Sequence, residues 1–340
     1  MRLHRKLLWA LSLLVPIHIA VLFAGFVAPY GFGTQDRLHP YAPPSRIQFF
    51  DCAGKFYLRP SVSVPQDAEA GQNTRGCLPS APLRFFVRGD GYDLLGLFHS
   101  DLHLFGVDAP ARAYLLGSDA FGRDQFARLL YGGQVSLFAG LIAAGLAMFI
   151  AWMVGAIAGL YGGLADDAAM RLAEATIAVP SFYLLLAVRS FLPLQIGAGA
   201  ALVLVVAVVG LFGWARPARL VRGVVLSGKE RNYVLAARGF GASRLYLLRR
   251  HLMPMTFNVV LTQMAVLIPQ FILAEVILSF LGLGIGEPFP SWGNMLAQAQ
   301  QYHVLVSYWW MLLPGLALVP VILAYHLLAD ALQEKLKSDI

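Results

Sequence analysis

The chain has 340 residues, 58% of them hydrophobic and only 13% charged; a soluble domain carries about a quarter charged residues, which excludes water as the main solvent. The formal net charge of +7 does not point to nucleic acid, because the excess is local: between Arg216 and Arg250 nine Lys or Arg stand against the single acid Glu230, the pattern of a cytoplasmic loop in a membrane protein. A bilayer core takes roughly 20 consecutive apolar residues per helix, so the informative units are long uncharged runs.

Leu7–Ala28 is such a run, preceded by Arg2, Arg5 and Lys6. The positive-inside bias places the N-terminus in the cytoplasm, and the run is too long for the core of a signal peptide. Residues 29–134 then form a polar, Pro- and Gly-rich segment balanced at ten basic and ten acidic residues, which predicts a small extracytoplasmic insert with short strands such as Arg84–Val87. Cys52 and Cys77 are the only cysteines, and their compartment favours a disulfide over two free thiols. Such a bridge constrains the unfolded insert by roughly 3 kcal/mol. Val135–Tyr161 is the second span, ended by Gly162 and Gly163. Glu174–Leu192 is a short third span with Arg189 near its outer end, and Ala198–Ala215 returns to the basic segment. Leu252–Leu281 crosses outward, Gly282–Val306 carries no Lys or Arg, and Tyr308–Leu328 crosses back to a tail holding Lys335 and Lys337. The expectation is an all-α integral membrane protein with six transmembrane helices and both termini inside. Its parts are residues 1–28 with the first helix, the insert 29–134, a core at 135–330 containing a cytoplasmic loop at 216–253, and a tail at 331–340.

Within that loop, Tyr233, Ala236, Ala237 and Phe240 recur at i, i+3, i+4 and i+7. A helix here presents two aromatics flanking two methyl-sized side chains, a face that can enter a groove. Gly241 supplies the left-handed residue that ends the helix, and Ser243 caps the next one. Periodicity and charge alone equally describe an amphipathic helix lying on anionic lipid.

The stretch Ala236-Ala237, Gly241 and Pro254 resembles the cytoplasmic loop of binding-protein-dependent ABC importer permeases, written E-A-A-x3-G-x9-I-x-L-P. Leu235 stands in place of the acid, His251 of the Ile and Met253 of the Leu. Arg250-His-Leu-Met-Pro254 is similar to the Arg-His-x-Leu-Pro form of the dipeptide and oligopeptide branch. Leu116-Gly-Ser-Asp-Ala-Phe-Gly-Arg-Asp124, with Arg128-Leu-Leu-Tyr-Gly132 and Ser136, resembles that branch's approach to its second span. Ile277-Leu-Ser-Phe-Leu-Gly-Leu-Gly284, with Pro290-Ser-Trp-Gly-Asn-Met-Leu296, resembles the loop before its last span. The likeness runs in order from Leu115 to Leu332, to the C-type permease subunit of dipeptide, oligopeptide and nickel importers.

The resemblance implies a type I ABC importer permease fold in the bacterial inner membrane. Its implied partners are a second permease subunit, two ATPase subunits that use ATP and Mg, and an external solute-binding protein. It places ATPase docking at Tyr233, Ala236, Ala237, Phe240, Gly241, Ala242, Ser243, His251 and Pro254. The gate and pore candidates are Glu275, Ser279, Gly282 and Gly284; Gly286 adds flexibility to the same turn. The chain itself has no Gly-x4-Gly-Lys-Ser/Thr phosphate loop, since Gly54-Lys55 leads into Phe56 and Gly228-Lys229 into Glu230; no bound cofactor is expected.

Two rival readings fit the sequence less well. An intramembrane enzyme needs converging catalytic groups, yet neither His-Glu-x-x-His nor Gly-x-Ser-x-Gly occurs. His99, Asp101 and His103 share one side of a strand, but in the insert they suit a solvated strand better than a metal site, and His18 suits a packed or interfacial group. An ion-coupled secondary transporter or channel would use intramembrane carboxylates; Glu275 is the one candidate, and the resembled family also has Glu there. Trp292 is expected to pack or to anchor at the interface.

Overall fold

The computed structural model describes residues 2–50, 56–65, 80–94, 96–180, 183–184, 186–187 and 197–338. Cys52 and Cys77, and most of the expected third span beyond Pro180, lie outside the described residues. Five helical stretches among the described residues are long and apolar enough to cross a membrane: Arg5–Leu22, Gln125–Tyr161, Gly199–Lys229, Arg244–Phe280 and Trp309–Lys335. The chain divides into two compact units.

The first unit comprises Met1–Val15, Leu137–Leu278 and Val319–Ile340. Helices α1 (Arg2–Leu22) and α2 (Ala24–Val27) open the chain, and this unit holds most of helix α3 (Gln125–Tyr161), then α4 (Gly163–Ala178), α5 (Ala198–Phe212), α6 (Ala215–Lys229), α7 (Asn232–Gly239), α8 (Arg244–Leu247) and most of α9 (Met253–Phe280). Small residues let these helices approach closely, as membrane helices require when no hydrophobic driving force separates lipid from protein. A Cβ on Gly155 would lie 2.4 Å from the Ala218 carbonyl oxygen, and one on Gly159 would lie 2.9 Å from Val225 Cβ. This Gly-x-x-x-Gly stripe of α3 therefore seats α6 backbone to backbone. One on Gly140 would lie 2.4 Å from Ile272 Cγ1, so α3 also touches α9. Trp152 Nε1 donates to Thr256 Oγ1 at 2.7 Å between the same two helices.

Composition suggests that the basic segment from Arg216 is loop, but Arg216 to Lys229 belong to helix α6. Ala218, Val221, Val225 and Gly228 form the buried face, while Arg216 and Arg219 are exposed. The arginines occupy one side of an amphipathic helix, which a count of charge does not reveal. Arg222 grips Asp166 of α4 through Nε and, at 2.5 Å, through the adjacent amino nitrogen.

The second unit comprises Pro16–Ser136 and Ser279–Leu318. It carries a three-stranded antiparallel sheet of β1 (Ile47–Phe50), β2 (Phe56–Ser63) and β3 (Ser80–Pro82) in that order, and a hairpin of β4 (Arg84–Leu94) and β5 (Phe98–Gly106). The strand foreseen at Arg84–Val87 thus runs eleven residues. Val62, Val107 and Ala113 form one core; Ala299, Val304, Trp310 and Met311 form another. Helix α3 begins ten residues before the apolar run that foretells it. At 1.5 Å per residue its 37 residues span about 55 Å, well beyond a hydrocarbon core of about 30 Å.

His103 corrects the expectation of a solvated strand. It is 2% exposed, its Nδ1 faces the Ala28 carbonyl oxygen, and its Nε2 faces that of Asp90 at 2.9 Å. His99 Nδ1 instead pairs with Asp93 at 2.9 Å in the open. The two histidines of the motif have separate partners.

Candidate functional site

Helix α7 ends in a complete Schellman closure. Gly241 takes φ +84°, its N–H donates to the Arg238 carbonyl, and the Ala242 N–H donates to that of Ala237, each at 3.0 Å. Ser243 Oγ then accepts from Tyr246 N–H at 3.2 Å and caps α8. One widened turn follows at Leu248–Leu252, where Met253 N–H reaches back to Leu248 O. Pro254, which has no N–H to give and whose ring crowds the carbonyl four residues earlier, sits just beyond it. From Arg244 to Phe280 the chain is one helical stretch of 37 residues.

Val234, Leu247, Leu248 and Leu252 are buried and fasten this elbow to the helical unit. Tyr233 and Tyr246 stand on either side of His251, each with ring centres 5.8 Å away, and Tyr233 Oη donates to Met255 Sδ at 3.0 Å. Arg244 lies over the Tyr161 ring at 5.5 Å. With the bend held this way, Phe240 projects 93% exposed, Ala236 is exposed beside it and Ala237 is half-buried. Tyr233 offers half its surface, the rest being committed to His251 and Met255. Gly241 and Ser243 are exposed and Ala242 half-buried at the bend, and Pro254 is exposed where α9 starts.

Farther along α9, Glu275 is fully buried. In the second unit the chain turns sharply after α9. Ser279 Oγ accepts from Ile285 N–H at 3.2 Å, Gly282 takes φ +74°, and a Cβ on Gly284 would lie 2.2 Å from Ser279 Oγ. The candidates Ser279, Gly282 and Gly284 therefore form one closed turn.

That turn leads to a charge cluster to which the sequence motifs carried no assigned role. Arg123 donates to Asp119 at 2.7 Å and to Glu287 at 2.6 and 3.2 Å; Arg128 donates to Glu287 at 2.9 Å and lies 3.6 Å from Asp119. The side chains of Asp119 and Arg128 are wholly buried and that of Glu287 is 43% exposed. Asp119 also accepts from the N–H groups of Phe121 and Arg123 at 2.8 and 3.0 Å. Gly122 permits this loop: at φ +70° a Cβ there would meet the Asp36 carbonyl at 1.8 Å. Burial tends to raise the Glu287 pKa, but hydrogen bonds and charge from Arg123 and Arg128 outweigh it and hold the carboxyl below its ordinary value. Asp124, buried at the start of α3, goes the other way: burial pushes it up to about 7 although Ala127 N–H donates to it at 2.8 Å. The signal available in sequence was the Asp-x-x-x-Arg-Asp spacing itself; the partner Glu287 was not foreseeable.

Trp292 is 2% exposed. Its Nε1 donates to Leu129 O at 2.9 Å and its backbone N–H to Ser136 Oγ at 3.1 Å, so it packs rather than anchoring at an interface.

Residues 151–338 match the family model described as "Binding-protein-dependent transport system inner membrane component". The dipeptide transport system permease protein DppC of Bacillus subtilis is 38% identical over 67% of this chain and 69% of its own. The glutathione transport system permease protein GsiD of Pectobacterium atrosepticum is 36% identical over 68% and 76%. The oligopeptide transport system permease protein OppC of Bacillus subtilis is 33% identical over 70% and 76%. Among solved structures, a chain of the MetNI methionine ABC transporter in an inward-facing form aligns over 60% of this chain and 95% of its own, with a TM-score of 0.46 and 18% identity. An ion-coupled carrier or channel finds no support among these relatives.

Proposed function

Because the chain belongs to the binding-protein-dependent transport system inner membrane components, as a membrane-spanning permease subunit of an ABC importer of the peptide family whose ATPase is a separate polypeptide, we propose that its elbow at residues 232–254 is where an ATPase subunit docks. The observation that carries this reading is Phe240: an aromatic ring 93% exposed on a helix whose other side is buried through Val234. A ring this exposed at the tip of the bend, on an element held by packing, fits a hot-spot anchor in a partner's groove. Docked there, an ATPase moves a rigid lever, because the second half of the elbow continues unbroken into the helix that bears Glu275. A push on α7 reaches α9 through the packed Tyr233–His251–Tyr246 ring contacts.

The cargo in this reading is a peptide or similar small solute, delivered by an external solute-binding protein to a pore shared with a second permease subunit. The elbow and both termini face the cytoplasm and residues 29–134 face outward. Glu275, with the turn at Ser279, Gly282 and Gly284, belongs to the gate. The matching relatives named for dipeptide, glutathione and oligopeptide transport support the cargo class.

Affinity capture of the ATPases from detergent-solubilised complex tests the docking. Phe240→Ala weakens ATPase retention by about 10- to 30-fold, a loss on the order of 1.5–2 kcal/mol, with unchanged thermal stability. Gly241→Pro abolishes retention, because proline is confined near φ −65° where the bend needs +84°. Full retention in both variants, with the permease folded and inserted, removes the docking assignment.

A further inference from the structure

An apolar groove of about 470 Å³ in the second unit has no part in the reading above. Ile19, at the end of the first membrane-crossing helix (Arg2–Leu22), forms one wall with Phe23 and Phe26; Tyr92, Leu94 and Phe98 of the hairpin form the other. The walls meet closely because Gly25 lies flat against the Tyr92 ring, where a Cβ would come 2.3 Å from Cδ2. We infer that this groove holds a phospholipid acyl chain from the leaflet at the C-terminal end of that helix, and that the tip of the β4–β5 hairpin rests in the same leaflet.

Three observations select a hydrocarbon chain as the occupant. The lining is almost wholly apolar: its two side-chain hydroxyls are turned to the hairpin backbone, Tyr92 Oη donating to Leu102 O at 2.8 Å and Ser100 Oγ accepting from Leu102 N–H at 3.2 Å. A peptide strand seated there would leave its own N–H and C=O groups unpaired, whereas an alkyl chain needs nothing. Water gains as little, since a cavity must offer polar partners to hold it. The groove is also continuous with a lipid-facing surface, because Ile19, 52% exposed, belongs to a helix that crosses the bilayer. Finally, Leu97 and Phe98 at the turn end of the hairpin are each more than 60% exposed, and Phe98 lines the groove; in a leaflet these two side chains anchor the hairpin tip.

The inference rests on the first helix being in the membrane but not on ATPase docking, and the two are separable. In the full transporter reconstituted into phosphatidylethanolamine–phosphatidylglycerol vesicles, p-benzoylphenylalanine replaces Phe98, and in parallel Asp101 on the polar side of β5, before irradiation and mass spectrometry. The Phe98 site yields a phospholipid adduct and the Asp101 site does not. Ser100→Asp, which places a carboxylate in the groove, removes the adduct at the Phe98 site while the ATPases still co-purify. A polypeptide adduct at the Phe98 site, equal lipid adducts at both sites, or an adduct undiminished by Ser100→Asp overturns the inference. Loss of ATPase co-purification in the unsubstituted transporter would instead count against the docking reading.

Discussion

Removing a carboxylate from the Asp119–Arg123–Arg128–Glu287 cluster should cost stability in proportion to burial. Breaking a buried ion pair leaves the surviving charge uncompensated at about 3–5 kcal/mol. Asp119→Asn meets that full cost: its side chain is 0% exposed, and its loss leaves the buried Arg128 and nearly buried Arg123 to share Glu287. Glu287→Gln removes the charge that faces Arg123 and Arg128 and turns one of its two acceptor oxygens into a donor, but with the side chain 43% exposed water screens the loss, and the expected cost falls to about 1–2 kcal/mol. At about 2–4 °C per kcal/mol for a unit of this size, the midpoint drops by about 2–8 °C for Glu287→Gln and about 6–20 °C for Asp119→Asn. The buried indoles of Trp292 and Trp310 lie in the same unit and report its melting through intrinsic fluorescence, at one scan rate because membrane complexes unfold irreversibly. Raising salt should narrow the Glu287 deficit and leave that of Asp119 unchanged. A Glu287 variant less stable than the Asp119 variant, or an Asp119 variant that melts with the wild type, refutes the reasoning.

The same unit should respond to pH from two directions. Asp124, raised from 3.8 to about 7, contributes stability that is fully present below 3.8 and lost as pH rises through about 7, so Asp124→Asn, which retains the cap acceptor, should melt higher than wild type above pH 7. Glu287, lowered from 4.5, contributes stability above 4.5 that is lost as pH falls through its depressed folded value; a wild-type midpoint that is flat across both windows contradicts these assignments. In the helical unit, Gly155→Leu should expel α6 from α3, because even a Cβ there meets the Ala218 carbonyl at 2.4 Å. Loss of stably folded permease in membranes is expected, with Gly145→Leu, where nothing lies within 4 Å, as the tolerated control.

Much of the site was legible because its chemistry is local. The Schellman closure needs a glycine at one position, the cap needs a hydroxyl two residues on, and Gly241 and Ser243 supply both within a short stretch. The expected docking face was only partly what the spacing suggests. Tyr233 and Phe240 share a helical face, yet Tyr233 is half spent on His251 and Met255, and Phe240 alone stands free of the body. Periodicity states which side chains share a face; it does not say what else packs against them.

From sequence alone came the solvent of the chain, five of its crossing helices and the break at Gly241, since hydropathy and φ preference are properties of neighbouring residues. Tertiary structure alone decided that Asp119 and Arg128 are closed over by Glu287, that His103 is buried, and that α6 is a packed helix instead of a basic loop. Each of these depends on which distant backbone comes near enough to pair a charge or exclude water. That is settled by close approach, at Gly155 to α6 and at Gly122 to Asp36, and not by any local pattern.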